Sequence, residues 1–390
     1  MNPIKLEGIT DMLKRQVENG DVKGCSAYVL KNGRPIYRAN AGMADEARGI
    51  EWADDTIVRL YSMSKPITAA AMMILIDRGM VDIYDKVSWY LPGFREQRVL
   101  TENGLEPVKN EISIKNIMDM TSGLTYPDTS TPSGSIMQKL YDRMAEDVAN
   151  GKPWDTMTLA NEIGRQPLAF QPNERWMYGT SADIVGAVIE AVTGTKFGDF
   201  LRTEIFEPLG MNDTDFYCPE EKLNRFSEMY EPKDGGLIPA NWQHLGLTYF
   251  NRKKPEFESG GAGLCSTMDD YAAFAEMLLN GGEYNGRRIL SKNAVNYLTM
   301  PQLTEAQRPS FDWEQHVGRS YGNLMFVCTE PSLSGPSSHI GEYGWDGWLG
   351  CYFVNDPVGG YTFLYFIQRC GGLGIRPVRI IKQIVYGAED

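Results

Sequence analysis

Residues 61–78 read YSMSKPITAAAMMILIDR and are followed by Gly79. The centre of this run is apolar on nearly every side of a helix, and glycine is common just after a helix end. The run therefore predicts a buried helix that begins at Ser62 and ends before Gly79. We expect Ser62 to be the N-cap and Pro66 to lie in the first turn, where its missing N–H costs nothing.

Ser62 and Lys65 stand three residues apart, so a helix brings their side chains onto one face. A serine hydroxyl is a weak nucleophile until a neighbouring base takes its proton. Burial lowers the pKa of an amine towards neutrality, so Lys65 can be that base. In the simpler alternative, Ser62 only caps the helix and Lys65 is a surface charge. Ser64 is a rival nucleophile, but it adjoins Lys65 and points elsewhere.

The predicted secondary structure of the flanking sequence changes twice along the chain, from β-rich to helical and back. Residues 4–20 have the apolar face of an amphipathic helix, and β-rich runs at 25–30 and 35–39 flank an Asn-Gly pair that is typical of a hairpin. Residues 82–250 are mainly helical in pattern. Strand-like runs then return at 321–328, 350–355 and 361–368, followed by a closing helix at 378–385.

These patterns predict an α/β (α+β) fold in which both ends of the chain build a central antiparallel sheet flanked by helices. We assign residues 1–81 and 255–390 to this α/β sub-domain. Residues 82–254 form an inserted, mainly helical sub-domain. The expected active site lies in the cleft between the two.

The bulk chemistry excludes several classes of function. The formal net charge is −13, which repels nucleic acid, and no segment is long and apolar enough to cross a membrane. The N-terminus lacks the pattern of a signal peptide, so we expect a cytoplasmic protein. The three histidines show no metal-ligand spacing, and we expect neither a metal nor a cofactor. No feature indicates an oligomeric state.

Three short motifs, in order, give the chain a family resemblance. They are Ser62-x-x-Lys65, then Tyr178-Gly179-Thr180, then Trp345-Asp346-Gly347. With residues 79–87, 112–124 and 206–211 they resemble the serine β-lactamase-related hydrolases over nearly the whole chain. The similarity is greatest to the class C branch, which holds class C β-lactamases, DD-peptidases and β-lactamase-like (family VIII) esterases.

The resemblance implies a β-lactamase/DD-peptidase-like fold and an acyl-enzyme intermediate on Ser62. It also implies that Tyr178 relays protons beside Lys65. Either group can then be the general base, because coupled groups share their protons. The backbone N–H groups of Trp348 and Ser62 are expected to form the oxyanion hole.

The third motif has two possible registers. His339-Ile340-Gly341 is one. We prefer Trp345-Asp346-Gly347, which comes shortly before a predicted strand and resembles the Trp-Gly-Gly of the family's esterases. In this register Trp345, Asp346 and Gly347 bind substrate together with Tyr126, although an aspartate stands where glycine is usual.

The same residues predict the substrate, a small ester or amide. A lysine or arginine in the third motif would hold a substrate carboxylate, and Trp345 cannot. Aromatic walls from Trp345, Trp348 and Tyr126 favour a neutral acyl or alcohol group. Thr180 replaces the family's asparagine, which disfavours a β-lactam side-chain amide.

The leading hypothesis is an esterase for small carboxylic esters. A β-lactamase, D-amino-acid amidase or DD-peptidase on the same scaffold is the alternative. A catalytically silent scaffold protein is a weaker one, because Ser62, Lys65 and Tyr178 are all present.

Overall fold

The computed structural model describes residues 1–240, 242, 244–247 and 253–389. Its strands in these residues are β1 (Gly24–Lys31), β2 (Arg34–Asp45), β3 (Ile50–Glu51), β4 (Val58–Arg59), β5 (Arg98–Thr101), β6 (Gly104–Pro107), β7 (Tyr230–Lys233), β8 (Gly236–Pro239), β9 (Cys265–Ser266), β10 (Glu283–Tyr284), β11 (Arg287–Arg288), β12 (Arg319–Tyr321), β13 (Phe326–Cys328), β14 (Tyr343–Asp346), β15 (Tyr352–Asp356) and β16 (Tyr361–Ile367). The α-helices are α1 (Pro3–Glu18), α2 (Ser64–Asp77), α3 (Val87–Tyr90), α4 (Ile114–Met118), α5 (Pro132–Ala149), α6 (Thr156–Gly164), α7 (Ser181–Thr193), α8 (Phe197–Leu201), α9 (Glu207–Leu209), α10 (Met268–Leu279), α11 (Lys292–Leu298), α12 (Pro331–Ser334) and α13 (Arg376–Gly387).

An eight-stranded antiparallel sheet organises the fold, in the order β12-β13-β14-β15-β16-β1-β2-β3. Strands from the two ends of the chain meet where β1 pairs with β16, with Cys25 opposite Ile367 and Lys31 opposite Tyr361. Helix α10 packs against β15 and β16, and α1 and α13 pack against each other and the sheet. The predicted fold class is confirmed: a large antiparallel sheet flanked by helices in a β-lactamase-like arrangement.

Helix α2 is buried on all sides over Ser64–Leu75 because its neighbours surround it. It packs against α7, α11 and β14. Arg78 follows its last residue, and Gly79 adopts a left-handed backbone with φ of +67°. The buried helix with a glycine stop was therefore predicted correctly, and the 3-10 turn before it contacts β14.

The start of this helix differs from the prediction. Residues Tyr61–Met63 form one turn of 3-10 helix, and α2 begins at Ser64 with Met63 as its N-cap. The predicted N-cap role of Ser62 is therefore wrong. Ser62 lies inside the 3-10 turn, one residue before the N-cap, and that turn begins at Tyr61, whose φ is +48°.

The strand-like run at 321–328 is also divided. It forms the end of β12 and all of β13, joined by a turn in which Leu324 has a φ of +59°. Gly322 starts this turn close to another segment, because a Cβ there would lie 2.6 Å from the carbonyl oxygen of Met300. The turn lies where the residue pattern suggested continuous β-structure, and the close approach at its first residue is possible because Gly322 has no side chain.

The predicted sub-domain boundaries, after residue 81 and before residue 255, stay a prediction. Among the described residues, no helix combines the length and apolar character needed to cross a bilayer.

Candidate active site

Ser62 lies in a constrained turn between β4 and α2. Tyr61 holds a left-handed backbone that costs a non-glycine residue roughly 1–3 kcal/mol. Its ring is fixed by neighbours, with centroid distances of 5.5 Å to Trp348 and 5.8 Å to His244. This packing holds the turn in a form that leaves Ser62 half-buried beside a cavity. Ser64 is fully buried, and its Oγ accepts the backbone N–H of Leu264, so it is unavailable as a nucleophile.

Lys65 reaches three oxygen atoms from the buried face of α2. Its Nζ donates to Ser62 Oγ at 3.0 Å, to the Tyr126 hydroxyl at 3.0 Å and to the carbonyl oxygen of Gly261 at 2.7 Å. The side chain has no solvent exposure. Burial lowers the pKa of Lys65 to about 7, although the carboxylates of Asp183 and Asp346 oppose this change. The amine is therefore close to half-protonated at neutral pH.

Tyr178 also contacts the Lys65 amine, through the face of its ring. Its ring centroid is 4.7 Å from Lys65 Nζ, and its hydroxyl accepts the indole N–H of Trp345 at 3.1 Å. Burial raises the pKa of the Tyr178 phenol, and hydrogen bonding to Ser62 partly offsets this effect. Tyr178 therefore holds its proton at neutral pH and can donate it, while Lys65 is the group poised to accept one.

Trp345 does not form the exposed cleft wall expected from the sequence. Its side chain is completely buried and lies outside the lining of the cavity. The ring stacks 5.2 Å from His316 at an angle of 11°. The correction has a physical cause: side chains alternate along β14, so Trp345 enters the core and Asp346 turns towards the cavity.

Asp346 contributes a carboxylate to the cavity beside Ser62. Gln315 Nε2 donates to Asp346 Oδ2 at 3.3 Å. Burial raises the pKa of this carboxyl to about 6, against the opposing effects of Lys65 and Arg319. Asp346 is therefore mostly ionised at neutral pH.

Gly347 allows the third motif to approach the nucleophile turn. A Cβ at this position would lie 2.1 Å from the carbonyl oxygen of Leu60, a distance that no side chain can occupy. Trp348 follows and packs its ring against Tyr61 and against His244, at 4.6 Å from the latter. The backbone N–H of Trp348 as an oxyanion donor stays a prediction.

The cavity beside Ser62 measures about 190 Å³, below the ~300 Å³ at which pockets for drug-sized ligands begin. It therefore suits a small acyl or alcohol group. Its lining is mainly aromatic, polar and glycine residues: Ser62, Tyr178, Trp313, Gln315, Asp346, Gly347, Trp348, Gly350, Tyr352, Gly371, Gly372 and Gly374.

Sequence reasoning missed Trp313 and Gln315 because their loop carries no motif. It also missed Asp183, in the first turn of α7. Its buried carboxylate accepts the Ser259 hydroxyl at 2.6 Å and the Gly261 N–H at 2.9 Å. Asp183 thereby holds the segment whose Gly261 carbonyl binds Lys65. A carboxylate in the first turn of a helix whose next charged residue is Glu190 is a signal that could have revealed it.

The competing register of the third motif lies elsewhere. His339 Nδ1 contacts Asp356 Oδ2 at 2.6 Å, and the His339 ring packs against Tyr386. Neither partner lines the cavity beside Ser62. Tyr126 contacts Lys65 rather than the cavity, and its expected role in substrate binding stays a prediction.

The chain is similar in sequence to known proteins over most of its length. The sequence model of the family described as Beta-lactamase matches residues 9–384. Protein Rv1367c of Mycobacterium tuberculosis is 28% identical over 386 residues, covering 95% of this chain and 92% of that protein. Esterase EstB of Burkholderia gladioli is 28% identical over 373 residues, covering 91% of this chain and 88% of EstB.

The fold has a solved counterpart. The structure of EstCE1, described as a hydrolase with promiscuous acyltransferase activity, superposes with a TM-score of 0.81 at 21% identity. The match covers 99% of this chain and 98% of EstCE1. At this identity the likeness shows a shared fold.

Proposed function

The chain belongs to the beta-lactamase family and has the fold of its serine hydrolases, and on that premise we propose that it cleaves small carboxylic esters through an acyl-enzyme intermediate on Ser62. One observation carries the proposal: Lys65 Nζ lies 3.0 Å from Ser62 Oγ in a fully buried setting that brings the pKa of the amine to about 7. Such an amine is a competent base at neutral pH.

Acylation follows from these contacts. Neutral Lys65 takes the Ser62 proton as Oγ attacks the ester carbonyl carbon. The resulting oxyanion accepts hydrogen bonds from the backbone N–H groups of Ser62 and Trp348. Tyr178 then donates its phenolic proton to the departing alkoxide. The Trp345 N–H and the Lys65 ammonium stabilise the phenolate that remains.

Hydrolysis of the acyl-enzyme uses the same groups in reverse. The Tyr178 phenolate takes a proton from water as the water oxygen attacks the acyl carbon. Lys65 returns its extra proton to Ser62 Oγ when the carboxylic acid leaves. Both residues regain their starting protonation states, and the net reaction is ester plus water to acid plus alcohol.

The cavity favours esters over β-lactams and D-alanyl peptides. The latter two carry a carboxylate, and Asp346 would repel it. Thr180, which replaces the family's asparagine, is fully buried and offers the cavity no amide. The similarity to esterase EstB of Burkholderia gladioli supports the same choice.

The test is a substrate panel of p-nitrophenyl acetate, p-nitrophenyl butyrate, nitrocefin and D-alaninamide. We expect turnover of the two esters, with a loss of at least 10³-fold in Ser62→Ala. Ser64→Ala is the matched control, because it removes a buried hydroxyl two residues away, at the start of α2, and should keep ester turnover.

A fluorophosphonate probe followed by mass spectrometry should label Ser62 in the wild type. Full ester turnover by Ser62→Ala would refute the mechanism. Nitrocefin turnover well above ester turnover would reverse the substrate assignment. If no substrate is turned over and no adduct forms, the chain is a silent scaffold.

A further inference from the structure

Asp346 is the sole charged side chain among the residues that line the cavity beside Ser62. It occupies the third motif, on the strand that faces the nucleophile turn. A small cavity with a single anionic group attracts cations and repels anions. The chemistry of this position is therefore opposite to that of a site that binds a substrate carboxylate.

The neighbouring cations are engaged with other partners. Lys65 donates to Ser62, Tyr126 and Gly261. Arg319 is buried, and its guanidinium contacts Glu342 at 3.3 Å and the Tyr352 hydroxyl at 3.2 Å. The side-chain donor on Asp346 is the neutral amide of Gln315. A cationic ligand could therefore contact the Asp346 carboxylate directly and neutralise its charge.

The other walls also suit a cation. Trp313, Trp348 and Tyr178 line the cavity together with Asp346. The Trp313 and Tyr178 rings meet edge to face with their centroids 5.0 Å apart. Aromatic faces attract ammonium groups, and tryptophan does so most strongly. The combination of one carboxylate with several aromatic rings is how proteins bind organic ammonium groups.

We propose that this cavity is an ammonium subsite, and that the enzyme prefers small esters that carry a cationic ammonium group on the acyl or the alcohol part, close to the scissile bond. The inference rests on the proposed ester hydrolysis and narrows its substrate class. It predicts discrimination in both directions: cationic esters are favoured over neutral esters of the same shape, and carboxylate-bearing esters are disfavoured.

Matched esters test the proposal. Acetylcholine and 3,3-dimethylbutyl acetate have nearly the same shape and differ in charge on the alcohol. The p-nitrophenyl esters of betaine and of 3,3-dimethylbutyric acid place the same difference on the acyl side. An ammonium group on the acyl side activates the carbonyl by itself, so each kcat/KM is divided by the rate constant for alkaline hydrolysis of the same ester. For the wild type we expect this normalised kcat/KM to be at least tenfold higher for the cationic member of one pair. The pair that responds identifies the side of the ester that enters the subsite.

Asp346→Asn removes the charge and keeps the shape, and it should reduce that normalised preference to near unity. The ratio of two substrates on one variant cancels any general change in catalysis, including a change in Lys65. Asp346→Glu should retain the preference. Asp312→Asn is the matched control, because Asp312 is exposed one residue from Trp313 and lies outside the cavity lining. It should leave the ratio unchanged.

Varying the ionic strength distinguishes a preference due to the subsite from a preference due to the net charge of the whole molecule. A preference due to the net charge of −13 would fall with ionic strength in the wild type and in Asp346→Asn alike. The subsite predicts a ratio that persists at high salt in the wild type alone. Equal ratios for the wild type and Asp346→Asn would overturn the proposal.

Binding of tetramethylammonium is measured by tryptophan fluorescence. It distinguishes failure of the ammonium subsite from failure of the proposed ester hydrolysis. Ester turnover without ammonium binding or charge preference would reject the subsite alone. If no ester is hydrolysed, the proposed function fails. Saturable binding that Asp346→Asn abolishes would still support the subsite.

Discussion

At the scale of single residues, Lys65 shows how burial turns an ordinary cation into a base. An exposed lysine is protonated at neutral pH, because its pKa is about 10.4. Here desolvation lowers the pKa of Lys65 to about 7, and two carboxylates, Asp183 and Asp346, limit that fall. The pKa of Lys65 is thus set by two opposing effects: burial in an apolar helix lowers it, and two nearby carboxylates raise it.

This balance predicts a pH profile. A base must be neutral to accept a proton, so kcat/KM for a neutral ester should fall as pH drops through about 7. Asp346→Asn removes an anion that raises the pKa of Lys65, and the midpoint should therefore move to lower pH. Initial rates between about pH 5 and pH 9, compared for the two proteins, measure both effects. A flat wild-type profile, or a midpoint that moves upwards in the variant, would contradict this account.

Tyr178 permits a second residue-scale prediction. Tyr178→Phe removes the hydroxyl that lies next to the Trp345 N–H and keeps the ring. We expect kcat to fall by about 10²–10⁴-fold, the usual contribution of a general acid or base. Tyr321→Phe is the control: Tyr321 packs against Trp345 in the same aromatic cluster, is buried and lies outside the cavity lining. Similar losses in the two variants would show that Tyr178 serves packing rather than proton transfer.

The contacts of Ser62 and Lys65 could be predicted from their spacing, because a helix fixes which side chains share a face. The position of Trp345 could have been predicted too, since its neighbour Asp346 must point the other way on a strand. Trp313 and Gln315 could not, because a loop reaches the cavity only through tertiary packing.

At the scale of secondary structure, the backbone of the turn that carries Ser62 lies directly against the backbone of the third motif. Tyr61 takes a left-handed conformation, and Gly347 lies against the carbonyl of Leu60. The strained turn is held from outside by Trp348, whose ring packs on Tyr61. The geometry of Ser62 therefore depends on β14 and on the turn that follows it, as well as on α2.

Gly347→Ala tests this dependence. The new methyl group would lie 2.1 Å from the Leu60 carbonyl oxygen, so β14 and the nucleophile turn must move apart. We expect a loss of kcat/KM of about 10²-fold, because misplacements near 1 Å have that effect. Gly387→Ala is the matched control, since a Cβ there meets no atom within 4 Å. Wild-type kcat/KM in folded Gly347→Ala would refute the close approach.

Secondary structure was predicted best where the pattern is longest. The helix predicted at residues 4–20 is α1 (Pro3–Glu18), and the closing helix predicted at 378–385 lies within α13 (Arg376–Gly387). Where a distant segment intervenes, the pattern misleads. The turn between β12 and β13 contains Gly322, which lies against the Met300 carbonyl. The 3-10 turn before α2 begins at Tyr61, whose ring packs against Trp348. Both contacts connect residues far apart in sequence, so local periodicity carries no trace of them.

At the scale of the whole molecule, the chain closes on itself through its two ends. Strand β1 pairs with β16, and the backbone N–H of Asn2 donates to the carbonyl of Ala388 at 2.7 Å. A buried trio of charges ties α13 to the sheet. Glu342 accepts Arg319 at 3.3 Å on one side and contacts Lys382 on the other, and each of the three side chains is at most 4% exposed. One carboxylate thus serves two buried cations from β12 and α13.

Glu342→Gln should therefore destabilise the entire fold. Removing one partner of a buried ion pair leaves uncompensated charge, and the expected loss in free energy of unfolding is about 3–5 kcal/mol. Urea denaturation measures this loss, and the double variant Glu342→Gln with Lys382→Met should recover part of it, because one stranded cation is removed. Glu283→Gln is the control, since Glu283 pairs with Arg288 at the surface and such exposed pairs contribute about 0–1 kcal/mol. A loss below about 1 kcal/mol for Glu342→Gln would mean that solvent or a rearranged partner neutralises Arg319 and Lys382, and that the trio does not hold α13 against the sheet.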